Sequence, residues 1–148
     1  MELEELVKKR ILERRVTSPQ EISNFLETAV RKLSEASNDT ISNETRLVQA
    51  YHVILTCATI ALRAMGYRAR STEGKHYYSI NTLRLTLNKS TQEVRYYQDL
   101  RKRRHEDIYE GLMRVSEIEM KKAVLEAKKL YDELKTWLDK NYREHMTK

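Results

Sequence analysis

Apolar residues recur at helical spacing along most of the chain, broken by short polar stretches. Leu3, Leu6, Val7 and Leu12 predict a first helix over about residues 2–15. Ile22, Phe25, Leu26, Ala29 and Leu33 fall on one face of a second, over about 19–35. The polar run "SEASNDTISN" then interrupts the period, and a third helix follows from Ser42 or Asn43 to Met65. Its residues Leu47, Val48, Tyr51, Val53, Ile54, Leu55, Cys57, Ala58, Ile60, Ala61 and Leu62 cover nearly the whole circumference. A helix apolar all round is packed on several sides, so this one is expected at the centre. After the loop "YRARSTEG" a shorter helix is expected over about 75–87, with Tyr78, Leu83 and Leu87 inward. Another starts at Ser90. The last runs from Ser116 to about Asn141, with Met120, Val124, Ala127, Tyr131, Leu134 and Leu138 alternating steps of four and three, a coiled-coil-like seam.

The boundaries are written in capping chemistry. "SPQE" at Ser18, "STQE" at Ser90 and "SEIE" at Ser116 each place a Glu three residues after a Ser, the pattern of a reciprocal capping box. Pro19 suits the first helical position, and Gly66 can supply a left-handed stop after the third helix. The expected architecture is all-α, an up-and-down bundle of about five to six helices.

Composition agrees with this reading. Three Gly and one Pro in 148 residues provide few of the turns that a many-stranded fold requires. The length suits one domain over residues 1–148, with a helical core at about 19–142 and an N-terminal helix at 1–15. Cys57 is the sole cysteine, which excludes an internal disulfide and any cysteine-based zinc pattern and fits a reducing cytoplasm. The charged start "MELEELVKKR" lacks the apolar core of a signal peptide. The apolar segment Ala50 to Leu62 falls short of the roughly 20 residues a bilayer needs, so no membrane association is expected.

Charge changes the picture further. Lys and Arg number 28 against 22 Asp and Glu, a net +6 that suits an acidic partner. The cations concentrate in "DLRKRRHEDIYEG", Asp99 to Gly111. If this stretch is helical, Arg101 and His105 stand one i,i+4 step apart and Tyr109 continues the stripe. An imidazole beside a guanidinium can take a proton from a ribose 2'-hydroxyl while the cation holds the phosphate, chemistry that needs no metal or cofactor and acts on RNA. The other reading of the same residues is an exposed helix face whose "RKRR" pairs with "EDIYE" or complements the helix dipole. Arg95, Arg101, Lys102, Arg103 and Arg104, with Lys75 and His76 from "EGKH", are the candidate contacts to RNA or nucleotide. Of each pair Tyr77/Tyr78 and Tyr96/Tyr97, one ring is expected in the core and one outside, since neighbours on a helix diverge by about 100°. His52, on the most apolar helix, reads as a hydrogen-bonded histidine of the interior. No Walker-type loop, GxGxxG element or zincin helix is present.

The segments "RLVQAYHVILTCATIALRAMGYR", "GKHYYSINTL" and "RYYQDLRKRRHEDIYE", followed by the long last helix, together resemble the HEPN domain of prokaryotic helical-bundle proteins. The resemblance covers roughly residues 20–140. It implies a homodimer in which an arginine and a histidine from each subunit line a shared RNA-cleaving cleft. It also implies a toxin–antitoxin or defence setting, with an antitoxin or a nucleotidyltransferase as partner. By position His105 matches the motif histidine, Tyr109 falls near the tyrosine that often follows it, and Arg101 is the nearest candidate for the motif arginine; Arg101 or Arg104 would then stabilise the charge on the phosphate. Arg101 and His105 enclose three residues where active members of the family usually have more. Some branches with a similar basic run look like non-nucleolytic modules that dock a partner, so two readings stand side by side: endoribonuclease and interaction module.

Overall fold

A computed structural model describes residues 2–70, 73–110 and 114–143, with the side chains of 106–110 outside the description. In chain order the elements are α1 (Leu3–Lys8), β1 (Leu12–Arg14), α2 (Pro19–Ala36), α3 (Asn43–Ala64), β2 (Tyr67–Ala69), α4 (Lys75–Asn81), α5 (Leu83–Thr86), α6 (Thr91–Glu110) and α7 (Glu117–Asn141). The described residues form a helical bundle carrying one small two-stranded sheet.

Side-chain contacts fix the helix directions. Arg46 at the start of α3 donates to the Ala36 carbonyl at the end of α2, while Arg63 at the end of α3 lies over Phe25 near the start of α2. The two helices are therefore antiparallel. Asn43 and Glu44 hydrogen-bond the backbone of Val115, which brings the starts of α3 and α7 together. Lys89, just before α6, pairs with Glu133 late in α7, and Arg103, late in α6, pairs with Glu119 early in α7. Thus α2, α3, α6 and α7 alternate in direction, the up-and-down order expected.

The centre is α3, as its apolar circumference requires. Leu47, Ile54, Ile60 and Tyr51 are fully buried, and Ile22, Tyr97, Met120, Leu130 and Leu134 close around them. Each such aliphatic side chain contributes about 1.5–3 kcal/mol by leaving water. With 22 residues, α3 is long and apolar enough to cross a membrane by length and composition, further than the segment Ala50 to Leu62 suggested; here 61% of its most apolar window is packed inside the fold.

The caps behave as read, with one change. Ser90 with Glu93 and Ser116 with Glu119 form reciprocal boxes. Ser18 accepts from the Glu21 N–H, but the Glu21 carboxylate accepts instead from Thr17 and Arg15. The third helix is capped by Ser42, which accepts from the Thr45 N–H, and Gly66 follows it at φ 92°.

Two predicted helices need correction. The first ends at Lys8 rather than near residue 15, because Arg10 turns left-handed at φ 61° and Leu12–Arg14 pair antiparallel with Tyr67–Ala69. Leu12 is buried as expected, but from a strand, where it joins Leu3, Leu62 and Ala69 in a second small cluster. The loop expected after Gly66 accordingly begins as β2. The helix expected over about 75–87 is two pieces, divided at Thr82, whose hydroxyl donates to the Ser79 carbonyl.

Candidate functional site

The site is built on the C-terminal half of α6, where residues three and four apart share a face. Arg101, Arg104 and His105 meet Lys75, His76 and Tyr77 of α4 across a cleft of about 410 Å³, with Gly74 at its edge and Tyr51 of α3 in its lining. No Asp or Glu is among the described residues that line it. Three of its side chains are cations, Lys75, Arg101 and Arg104, with the imidazoles of His76 and His105 beside them, so a negatively charged ligand is what the cleft accommodates electrostatically.

Each arginine is held by its Nε, which leaves the forked outer edge for a ligand. Arg104 Nε donates to His52 Nε2 at 3.1 Å. Because that nitrogen accepts, the His52 proton sits on Nδ1, which faces Gln49 Oε1 at 3.0 Å, and Gln49 Nε2 in turn donates to Glu35 at 3.1 Å. Burial, reinforced by the Arg104 charge, pulls the His52 pKa down to about 4, so the ring is neutral at pH 7. Arg101 Nε donates to Gln98 Oε1 at 2.8 Å, and its guanidinium stacks 5.5 Å from the centre of the Tyr77 ring. Gln98 also donates to the Tyr77 carbonyl at 2.9 Å and to Asn81 at 3.0 Å, tying α4 to α6.

Two further groups face this charge. Burial first, and then the charges of Lys75, Arg104 and Arg101, lower the His76 pKa, which keeps that imidazole unprotonated at neutral pH. The Tyr51 side chain is fully buried and its hydroxyl has no hydrogen-bond partner among the described residues. Burial raises its pKa to about 12 against the opposing pull of Arg104 and Arg101, so it remains a hydroxyl able to donate. An unmet buried donor costs about 1–3 kcal/mol, which a ligand acceptor would recover.

The fold thus brings together five of the residues singled out from the sequence: Arg101, Arg104, His105, Lys75 and His76. Arg103 turns the other way, to Glu119 and the Arg114 carbonyl, and fastens α6 to α7. Lys102 and Arg95 are exposed and do not line the cleft. The Tyr109 side chain lies outside the described residues. Tyr77 is the outer member of its pair and Tyr97 the buried member of the other. Sequence reasoning did not assign His52, Gln98 or Tyr51 to the site. His52 carried the available signal, a polar ring one turn from Gln49 on an otherwise apolar helix. Among the described residues no group of three His, Cys, Asp or Glu could hold a metal ion.

Compared with known proteins, the chain matches no family model, and no curated protein or solved structure matches it.

Proposed function

We propose that this protein binds RNA or a nucleotide in the cleft between α4 and α6 and cleaves RNA there without a metal, as a cytoplasmic HEPN-like endoribonuclease of a toxin–antitoxin or defence system. The observation that carries the reading is the convergence of Lys75, Arg101 and Arg104 with two imidazoles, His76 and His105, in one cleft. Phosphate is the anion that a pair of forked guanidiniums fits best.

The chemistry follows from the residues. One imidazole removes the proton of a ribose 2'-hydroxyl, and the oxygen attacks the adjacent phosphorus. Arg101 and Arg104 take up the charge that builds on the phosphoryl oxygens. The 5'-oxygen leaves with a proton from the second imidazole, giving a 2',3'-cyclic phosphate and a 5'-hydroxyl. His76, held unprotonated, suits the base; His105 then serves as the acid. The resemblance of the quoted segments to HEPN domains adds the expectation of a homodimer whose two clefts adjoin.

The test is incubation of the purified protein with diverse RNAs in EDTA. Cleavage to cyclic-phosphate ends, lost in His105→Ala, is expected. Intact RNA, with His105→Ala indistinguishable from wild type in cells, overturns the catalytic reading. The second reading, a non-catalytic module docking a nucleotidyltransferase, is favoured by the three-residue gap between Arg101 and His105. It would show as intact RNA together with a stable complex on pull-down with the product of a neighbouring gene.

A further inference from the structure

Lys75 and His76 have a second side. There they help line another cavity, of about 360 Å³, together with Arg63 at the end of α3, Arg68 of β2, and the apolar Phe25 and Leu55. This volume falls within the range of about 300–1,000 Å³ typical of small-ligand sites.

Arg63 is the unusual residue. Its Nε and Nη1 are buried and have no hydrogen-bond partner among the described residues. Glu21 Oε2 stands 3.4 Å from Nη1, a charge contact without hydrogen-bonding alignment, and the same oxygen accepts from Arg15 at 3.3 Å. Two donor nitrogens taken from water without a hydrogen-bond acceptor are destabilising unless an acceptor arrives. Arg68 adds a second guanidinium, paired through Nε with Glu13 at 3.1 Å, and no Asp or Glu is among the described residues lining the cavity. The Thr56 and Thr59 hydroxyls donate to the His52 and Leu55 carbonyls, so toward the cavity they offer acceptor oxygens. The lining combines cations, apolar side chains and hydroxyl acceptors, with Arg63 itself lying over the Phe25 ring, and these match the parts of a nucleotide: phosphate, base face, and amino or sugar donors.

We propose that the Arg63 cavity is a subsite for a second nucleotide of the RNA strand whose phosphate lies against Arg101 and Arg104, with Lys75 and His76 forming the partition between the two positions. This rests on the reading that the α4–α6 cleft binds RNA phosphate. It adds that recognition spans at least two nucleotides and that Arg63 and Arg68 read the flanking one.

The experiment is an NMR titration of the ¹⁵N-labelled protein at low salt, following the arginine Nε–H signals. Two probes are used: adenosine monophosphate, and a tri-adenylate whose 2'-hydroxyls are methylated so that it stays intact. The trinucleotide should shift both Arg104 and Arg63 and bind at least about tenfold more tightly than the mononucleotide, the scale of one or two charge-assisted hydrogen bonds. Arg63→Gln, and the partly exposed Arg68→Gln in case the first unfolds, should each remove most of that gain. Shifts at Arg104 with Arg63 unmoved overturn the subsite while leaving the RNA reading intact. Shifts at Arg63 with the mononucleotide alone, and no gain with length, also overturn it, in favour of a free-nucleotide site. No shift at either arginine overturns the underlying RNA reading and the subsite with it.

Discussion

Arg104 donates its Nε–H to His52 Nε2 across 3.1 Å, joining the basic run of α6 to the central helix α3. The bond needs a neutral imidazole with its proton on Nδ1, and the Gln49–Glu35 pair behind it holds that tautomer. A half-buried histidine thereby positions a cation at the cleft.

His52→Phe should therefore weaken binding of single-stranded RNA about fivefold, the value of one hydrogen bond of about 1 kcal/mol. The check is a double-mutant cycle by fluorescence anisotropy. Arg104→Ala should cost much less in the His52→Phe background than in wild type, with a coupling of about 1 kcal/mol. Simple additivity would mean that His52 does not position Arg104.

The same histidine sets a pH dependence. Unfolded, it protonates near about 6.5; folded, near about 4, chiefly through burial. Between these values the unfolded chain binds more protons, so stability rises with pH: the contribution is complete above the unfolded value and is lost as pH falls toward the folded one. His76, also lowered, acts with the same sign. Urea midpoints at pH 4.5 and 7 should differ less in His52→Gln than in wild type; equal differences would remove His52 from the account.

The basic run should divide by face. Arg104→Ala should weaken RNA binding and reduce the salt slope by about 1. Arg103→Ala should leave the slope nearly unchanged and instead lower stability, since Arg103 bonds Glu119 and the Arg114 carbonyl. Affinity measured over a salt series, beside thermal melts, separates the two.

Arg101→Lys keeps a charge but loses both the Tyr77 stack and the Gln98 bond. Affinity should fall several-fold, by about 1 kcal/mol, with the salt slope retained. A lysine variant equal to wild type would mean that charge alone matters there.

Ser116→Ala should cost about 1 kcal/mol by opening the capping box at the start of α7. Ile54→Ala, fully buried in α3, should cost about 2–5 kcal/mol. Urea unfolding at pH 7 tests both, and a smaller effect of Ile54→Ala than of Ser116→Ala would contradict the placement of the core.

Local rules were enough for much of this protein. The starts of α2, α6 and α7 are written in Ser–Glu pairs, and the centrality of α3 in its apolar circumference, because capping and burial periodicity act within a few residues of one another. The shared face of Arg101, Arg104 and His105 is equally local, since helical spacing alone aligns them. What sequence reading missed depends on residues far apart in the chain. Leu12–Arg14 leave the first helix because Tyr67–Ala69 offer them a partner strand, which no local pattern announces. Lys75 and His76, grouped with the arginines from the sequence by chemistry alone, reach them in space through the packing of α4 on α6 that Gln98 helps fasten, whereas Arg103 leaves its neighbours because α7 presents Glu119 on the other side. His52 acquires its role from an arginine 52 positions away. Local sequence dictated where α2, α3, α6 and α7 form and which side chains share a face of each, but not the end of α1 or the break between α4 and α5. Tertiary packing decided which faces meet, because only the relative rotation and register of packed helices bring two cationic segments and a neutral imidazole to one cleft.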